Sequence, residues 1–447
     1  MDNVQLLKVS ENKRFLQKED GTPFFWLGDT TWELFHRLNR EEADLYLENR
    51  AERKFNVIQA VALGELDGIR VPNAYGRKPL LQNEKGEYDP TMPDLETKDG
   101  DTYKYWDHVD YIVDKAASLG LYIGFLPTWG DKYNQAWGKG PVIFNEENAR
   151  IYGEWLGKRY KDRDNIIWIL GGDRALVTSN HFAVINAMAE GIKKGDEGRH
   201  LVTFHPTGAT SSTYHVHDEE WLDFNMIQSG HGYVNLNNYN MVTNDYLKLP
   251  VKPTLDGEPR YEDHPIGFKS VNGYFDDYDT RQAAYWAVFA GAFGHTYGHH
   301  SIWCICTEPT DYFIIHWKDA IVRPGGTQVQ YLRNLIESRP FFDRVPDQEL
   351  IASNYEGANH LQATRGKDYA FIYSPNGLRI NVNMGRICGY EVKAYWYDPR
   401  NGKASYIGEF SNEGIQSFVP PSSSRNNDWV LVLDDASKNF DAPGSFK

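Results

Sequence analysis

The sequence predicts an α/β fold, a (β/α)8 TIM barrel followed by a small all-β sandwich domain. Three observations carry that expectation. Short apolar runs recur along most of the chain and end in glycine, an acid or a histidine, as in Asn165-Ile-Ile-Trp-Ile-Leu-Gly-Gly-Asp173. Runs that are apolar at every position mark strands buried on both faces, the habit of parallel sheets. Stretches with helical spacing separate most of these runs, the alternation of a βαβ chain. After Arg339-Pro-Phe-Phe342 the texture changes to short alternating segments divided by turn signals, as in an all-β domain.

Taken in order, residues 14–22 read as a hairpin with Asp20-Gly21 at its turn, and 24–29 as the first barrel strand, ending in Asp29. A helix is expected over 40–54, with Asn39 as its N-cap and Glu41 and Glu42 in its first turn, where acids favour a helix start. The second strand is 55–62. The polar, Pro- and Gly-rich segment 64–103 is a long loop, functional or carrying small elements of its own. Trp106, Val109, Ile112, Val113 and Ala116 then fall at helical spacing, with Gly120 as the stop. The third strand is 121–127, close to Trp129, and a helix at 146–160 leads into the fourth strand, 166–170. A helix at 181–194 precedes the fifth strand at 201–206. The sixth and seventh strands are 223–228 and 253–258, and the helical pattern around them is weak. A helix at 281–293, an eighth strand at 295–303 and a helix at 328–337 complete the barrel. Beyond it, strands are expected at 362–364, 369–373, 379–382, 392–397 and 429–433. The division is therefore 1–342 for the barrel and 343–447 for the sandwich.

Composition narrows the function. A net charge of −15 repels phosphate backbones, and no basic run or basic helix offsets it, so nucleic acid is not an expected partner. No apolar stretch approaches the length of a membrane span. Met1 is followed by polar Asp2 and Asn3, not by the apolar run of a signal peptide. The expected location is cytoplasmic, or periplasmic or extracellular if a signal has been removed. Cys304, Cys306 and Cys388 form no disulfide framework and read as reduced structural thiols. The 13 Trp, 28 Tyr and 22 Phe make an unusually aromatic chain, and a large core accounts for most of them. Flat aromatic faces pack on the C–H faces of sugar rings, so part of this surplus suits a carbohydrate site.

The leading constellation is a pair of acids at strand ends. Asp173 follows Gly171-Gly172 after the fourth strand, and Glu258 follows Asp256-Gly257 after the seventh. Barrel chemistry takes place at the carboxyl ends of the strands, and two opposed carboxylates are the minimum equipment for splitting a glycosidic bond. Either acid alone could merely cap the element after its strand. Other strand-end residues would cradle the substrate: Asp29, Trp32, Gln59, Trp129 and His205 from the first half of the barrel, then Gln228, His231, His295 and Trp303. Sugars demand many hydrogen bonds, which Asp, Gln and His supply.

Leu27-Gly-Asp-Thr-Thr-Trp32, Gly171-Gly-Asp173 and Asp256-Gly-Glu258-Pro259 together resemble the apiosidase-like glycoside hydrolases. Trp396-Tyr-Asp-Pro-Arg-Asn-Gly402 is similar to the signature of that family's C-terminal β-domain, of the collagen-binding type. The resemblance implies a catalytic barrel in which Asp173 is the acid/base and Glu258 the nucleophile, working without cofactor or metal. It implies a retaining, exo-acting enzyme on an oligo- or polysaccharide, a pectic or hemicellulosic side chain of the plant cell wall, with β-apiosidase activity among the expectations. One departure stands: the wider barrel clan has Asn-Glu after the fourth strand, where this chain has Gly-Asp.

Two rival readings remain open at this level. His215-Val-His217, His299 and His300 could join His205, His231 and Asp173 as a metal-dependent amidohydrolase in the same fold, although such enzymes carry His-x-His on the first strand. A non-catalytic carbohydrate- or matrix-binding protein would be expected to have lost one of the two acids, and both are present.

Overall fold

The computed structural model describes residues 4–66, 68–95 and 103–445. Eight parallel strands form the barrel wall: β1 (Trp26–Thr30), β2 (Val57–Val61), β3 (Tyr122–Leu126), β4 (Ile166–Gly171), β5 (Val202–His205), β6 (Asn225–Gln228), β7 (Thr254–Asp256) and β8 (Gly294–Tyr297). The ladder runs β5-β4-β3-β2-β1-β8-β7-β6. Between β5 and β6 no strand pairing forms among the described residues. The seam is held by Asp223 N–H donating to the Val202 carbonyl at 2.9 Å and by the Thr203 hydroxyl on the Phe224 carbonyl at 2.6 Å. A two-residue strand, Thr210–Ser211, pairs antiparallel with β6 beside this seam.

The strands are buried along their whole length, as their apolar runs predict. Alternate residues serve two cores. On β2, Val57 and Val61 point into the barrel, while Ile58 and Ala60 pack outward under the helices. Those helices are α1 (Arg40–Glu52), α2 (Tyr105–Ser118), α3 (Glu146–Tyr160), α4 (Ser179–Gly195), α5 (Asn238–Tyr246), α6 (Asp277–Phe289) and α7 (Pro324–Glu337). The N-cap expected of Asn39 is present as a full capping box, its side chain accepting from Glu42 N–H at 2.9 Å, an arrangement that satisfies two otherwise unpaired amides.

Three expectations change. The hairpin at 14–22 is part of a three-stranded antiparallel sheet, Leu7–Val9, Leu16–Lys18 and Pro23–Phe24, that stands before the barrel. The eighth strand stops at Tyr297 rather than running to Trp303, because the His299 side chain caps the helical turn His300–Trp303 by accepting from Ser301 N–H. No α-helix follows β5, where Thr210–Ser211 and the 3₁₀ turn Ser212–Tyr214 take its place. The long loop carries a small hairpin, Leu80–Gln82 with Tyr88–Pro93; Asp67 and 96–102 lie outside the described residues.

The C-terminal part is a two-layered β-structure. Its main sheet has six antiparallel strands: Val345–Pro346, β9 (Gln362–Arg365), β10 (Tyr369–Ser374), β15 (Trp429–Asp435), β12 (Glu391–Asp398) and β13 (Lys403–Ser411), in that spatial order. A ribbon of β11 (Ile380–Asn383) and β14 (Ile415–Phe418) covers one face. Period-two alternation sends Ala370, Ile372, Leu431 and Leu433 toward the ribbon, and Phe371, Tyr373, Val430 and Val432 toward the barrel. There they meet α6, whose residues from Tyr278 to Phe289 are all buried. Tyr285 stacks on Tyr373 with ring centres 4.9 Å apart, and Phe289 on Phe371 at 6.0 Å.

A fully buried ion pair crosses this interface. Arg281 of α6 grips Asp428 with two bonds, 3.1 and 2.9 Å, and both side chains are inaccessible. The same guanidinium bonds Asp277, Gln328 and Asn426. Removing one partner of such a pair leaves an uncompensated buried charge. Arg281→Met is therefore expected to cost about 3–5 kcal/mol, read as a lowered midpoint in urea; a midpoint within error of the parent would show that water replaces the contact.

Candidate active site

The two acids are set by backbone geometry that few residues tolerate. At the end of β4, Gly171, Gly172 and Asp173 all have positive φ, 91°, 106° and 53°. A Cβ on Gly171 would stand 2.4 Å from the His205 carbonyl oxygen, and one on Gly172 2.9 Å from Gly130 N, so both positions require glycine. Asp173 then occupies the left-handed region, which Asp and Asn enter more readily than longer side chains. The Asp173 amide donates to His205 Nδ1 at 3.3 Å, and its carbonyl accepts from Arg174 Nη1 at 2.8 Å. Arg174 also reaches the Asp173 carboxylate at 3.1 Å and the Glu65 carboxylate at 2.7 Å.

At the end of β7, Asp256 is locked by Ser229 Oγ at 2.7 Å and Asn238 Nδ2 at 3.0 Å. Gly257 lets the turn pass Met226, whose sulfur would lie 2.6 Å from a Cβ. Glu258 follows, buried, with Oε2 2.9 Å from His205 Nε2 and Oε1 3.1 Å from His231 Nε2. His205 Nδ1 thus lies between the Asp173 amide at 3.3 Å and the Pro206 carbonyl at 3.0 Å, while its Nε2 faces Glu258. Tyr261 packs against His231 at 4.4 Å between ring centres. Its ring occupies the room left by Gly298, where a Cβ would stand 2.1 Å from it.

These surroundings drive the two proton affinities apart. Burial works against the Glu258 charge, but hydrogen bonds from His205 and His231 outweigh it and lower its pKa to about 2. Burial, and then the charge of Glu258, raise Asp173 to about 7 against the pull of Arg174. Near neutrality one carboxyl holds its charge and the other can hold a proton, the division of labour that acid catalysis beside a nucleophile requires.

Both acids open into a cavity of about 730 Å³. Of the residues singled out in the sequence, Trp32, Trp129, Gln228, His231 and Trp303 line it with Asp173 and Glu258. Trp32 and Trp129 pack together at 5.0 Å between centres and both abut the His205 ring. His205 stands behind the wall as a partner of Glu258. Three candidates lie elsewhere. Asp29 is sealed in an ion pair with Arg50 at 2.6 Å and a bond from Tyr46 at 2.6 Å. Gln59 spans the barrel interior to the Gly257 carbonyl at 3.0 Å and Thr30 Oγ1 at 3.2 Å. His295 is fully enclosed, and burial, with the charge of Arg260, lowers its pKa to about 3. The sequence reading passed over Glu65, Trp137, Tyr261, His264 and Tyr312, which complete the walls from loops, and weighed His300, of the turn His300–Trp303, only as a metal ligand.

Of the histidines of the metal reading, His205 and His231 meet at Glu258 and His300 lines the same cavity, while the other three lie apart. His217 bonds Asn225 at 3.1 Å, His215 packs edge-on to Phe182 and Phe204, and His299 meets Asp263 at 3.1 Å. Among the described residues, no group of three or more His, Cys, Asp or Glu side chains is arranged to hold a metal ion. No helix among them is long and apolar enough to cross a membrane.

Comparison with known proteins gives the family of the chain. Residues 10–343 match the model of the apiosidase-like catalytic domain, and residues 345–434 that of a proposed collagen-binding domain of a collagenase. The crystal structure of a glycoside hydrolase family 5 protein from Bacteroides vulgatus is 38% identical; the match covers 98% of this chain and 94% of that one, with a TM-score of 0.90. A second solved glycoside hydrolase is 40% identical over 97% of this chain and 98% of its own, with a TM-score of 0.88. Comparison with curated proteins gives no match. With the barrel covered nearly end to end by one catalytic-domain model and the whole chain superposing on two glycoside hydrolases, the chain belongs to the apiosidase-like family and is a glycoside hydrolase.

Proposed function

We propose that this enzyme is a retaining, exo-acting glycosidase of plant cell-wall side chains, pectic or hemicellulosic, with release of apiose the first activity to test. The observation that carries the mechanism is the placing of two acids on one cavity, Glu258 held by His205 and His231 at 2.9 and 3.1 Å and Asp173 buried beside Arg174 at 3.1 Å, surroundings that split their proton affinities. In the first step a Glu258 oxygen attacks the anomeric carbon while Asp173 gives its proton to the departing oxygen. In the second, Asp173 takes a proton from water as that water displaces Glu258 and restores the free carboxylate. Neither step draws on a cofactor. The choice of sugar and exo-action rest on the family resemblance, and the barrel at 1–342 is taken as the catalytic unit beside a β-domain at 343–447. Proton NMR of the first product decides the stereochemistry: the anomer released before mutarotation keeps the configuration of the substrate, and the opposite anomer would overturn the nucleophile.

The pH dependence follows from the same split. The acid must be protonated when the leaving group departs, so kcat/KM is expected to fall as pH rises through about 7. Glu258, at about 2, adds no acid limb above about pH 4. A rate profile flat to pH 9 would remove Asp173 from the acid role.

A further inference from the structure

An acid that must keep a proton sits against an arginine, a neighbour that by itself works the wrong way. Arg174 stays charged throughout the working range. It is inaccessible to solvent and bonds the Asp173 carboxylate at 3.1 Å. A guanidinium so close to an aspartate lowers its pKa by about 1–3, and burial spares the pair most of the screening that surface charges receive. The arginine is fixed in place. Its Nη1 also donates to the Asp173 carbonyl at 2.8 Å and its Nη2 to the Trp137 carbonyl at 2.9 Å. The centre of the Trp137 ring lies 4.0 Å from its guanidinium carbon.

What offsets this cation stands on its other side. Glu65, on the loop after β2, accepts from Nη2 at 2.7 Å, a shorter contact than the one to Asp173. The remaining charged or titratable groups about the two acids have partners of their own. Glu258 is bonded by His205 and His231 at 2.9 and 3.1 Å. Lys132, in the turn after β3, pairs with Asp131 at 2.6 Å. Glu33 accepts from Leu66 N–H at 3.2 Å. The Tyr133 hydroxyl donates to the Arg174 carbonyl at 3.4 Å, and burial keeps it far above its ordinary range. One cation thus serves two carboxylates, only one of which changes charge during the reaction.

We infer that Glu65 is a positioning residue for the acid: by holding Arg174 from the opposite side it keeps that cation from claiming Asp173, so the proton needed by the leaving group stays on Asp173. Once Asp173 has given its proton and Glu258 is tied up in the glycosyl ester, the same arginine compensates the new carboxylate until it takes a proton from water. The inference rests on the acid/base role proposed for Asp173. Its sign is fixed. Removing the Glu65 charge takes away a neighbour that raises Asp173 and leaves Arg174 to one acid alone, so Asp173 ionises at lower pH.

The test compares kcat/KM against pH for the full-length enzyme and Glu65→Gln, an isosteric change whose fold is checked by circular dichroism. The alkaline limb is expected about one pH unit lower in Glu65→Gln. That variant should be about 10-fold slower than the parent at pH 8 and within about twofold of it at pH 5. A purely structural loss would lower the whole profile equally. Arg174→Gln, which removes the cation from both acids, should move the limb upward instead. A limb that stays in place in Glu65→Gln overturns the inference. If that variant does not fold, a limb unmoved or lowered in Arg174→Gln overturns it. A parent profile with no alkaline limb defeats the acid role of Asp173 instead, and direct titration then decides. Carbon-13 NMR of protein labelled at the aspartate carboxyls, with the Asp173 signal assigned by its loss in Asp173→Asn, should give a midpoint about one pH unit lower in Glu65→Gln than in the parent. Equal midpoints overturn the inference.

Discussion

Glu258→Gln is expected to lower kcat by on the order of 10⁴-fold or more while the protein folds as before. The amide has no charge with which to attack an anomeric carbon. Its oxygen can still accept from one imidazole, but its NH₂ faces the other, where the parent carboxylate accepted from both His205 and His231 at 2.9 and 3.1 Å. One of the two rings must change tautomer or turn, a local adjustment in a site enclosed by Trp32, Trp129 and Tyr261. Thermal unfolding and circular dichroism should therefore change little. Near-normal turnover in this variant would remove Glu258 from the mechanism.

The second large effect concerns Asp173. Replacement with Ala should cost about 10²–10⁴-fold for substrates whose leaving groups need a proton, and little at the first step for activated aryl glycosides. For those activated substrates the second step then limits, because no base takes the proton from water. Azide needs no general base, so its addition should restore turnover and yield a glycosyl azide of retained configuration. If all leaving groups slow equally and azide does nothing, Asp173 is structural. Glu65, which shares Arg174 with it and also lines the cavity, is then the next carboxylate to test.

Much of this arrangement can be read from the sequence because it depends on local rules. The apolar runs at 55–62, 121–127 and 166–170 are strands because parallel strands covered on both faces tolerate no polar stripe. The acids stand out because glycine beside each relieves a close contact, with the His205 carbonyl in one case and the Met226 side chain in the other. What escapes the sequence is decided by residues distant along the chain. Asp29 looks like a substrate ligand until α1 brings Arg50 and Tyr46 onto it. His205 and His231 were identifiable as site residues, but their shared grip on Glu258 depends on three strand ends converging. The strand β13 went unread because its Lys-Ala-Ser-Tyr-Ile-Gly-Glu-Phe-Ser sequence is that of a half-exposed sheet edge, polar and interrupted by glycine. The walls formed by Trp137, His264 and Tyr312 come from loops, which carry no period to detect.

The burial of α6 on all sides has a consequence for how the chain is made. The helix is synthesised with the barrel, yet the sheet that covers its outer face, with Phe371, Tyr373, Val430 and Val432, lies in the last roughly 100 residues. At the ribosome's pace of about 5–20 residues per second, these residues take some seconds to appear. Throughout that interval Tyr285 and Phe289 stand bare on an otherwise complete barrel, a sticky surface during translation. The late strands thus end a period of vulnerability for the nascent enzyme.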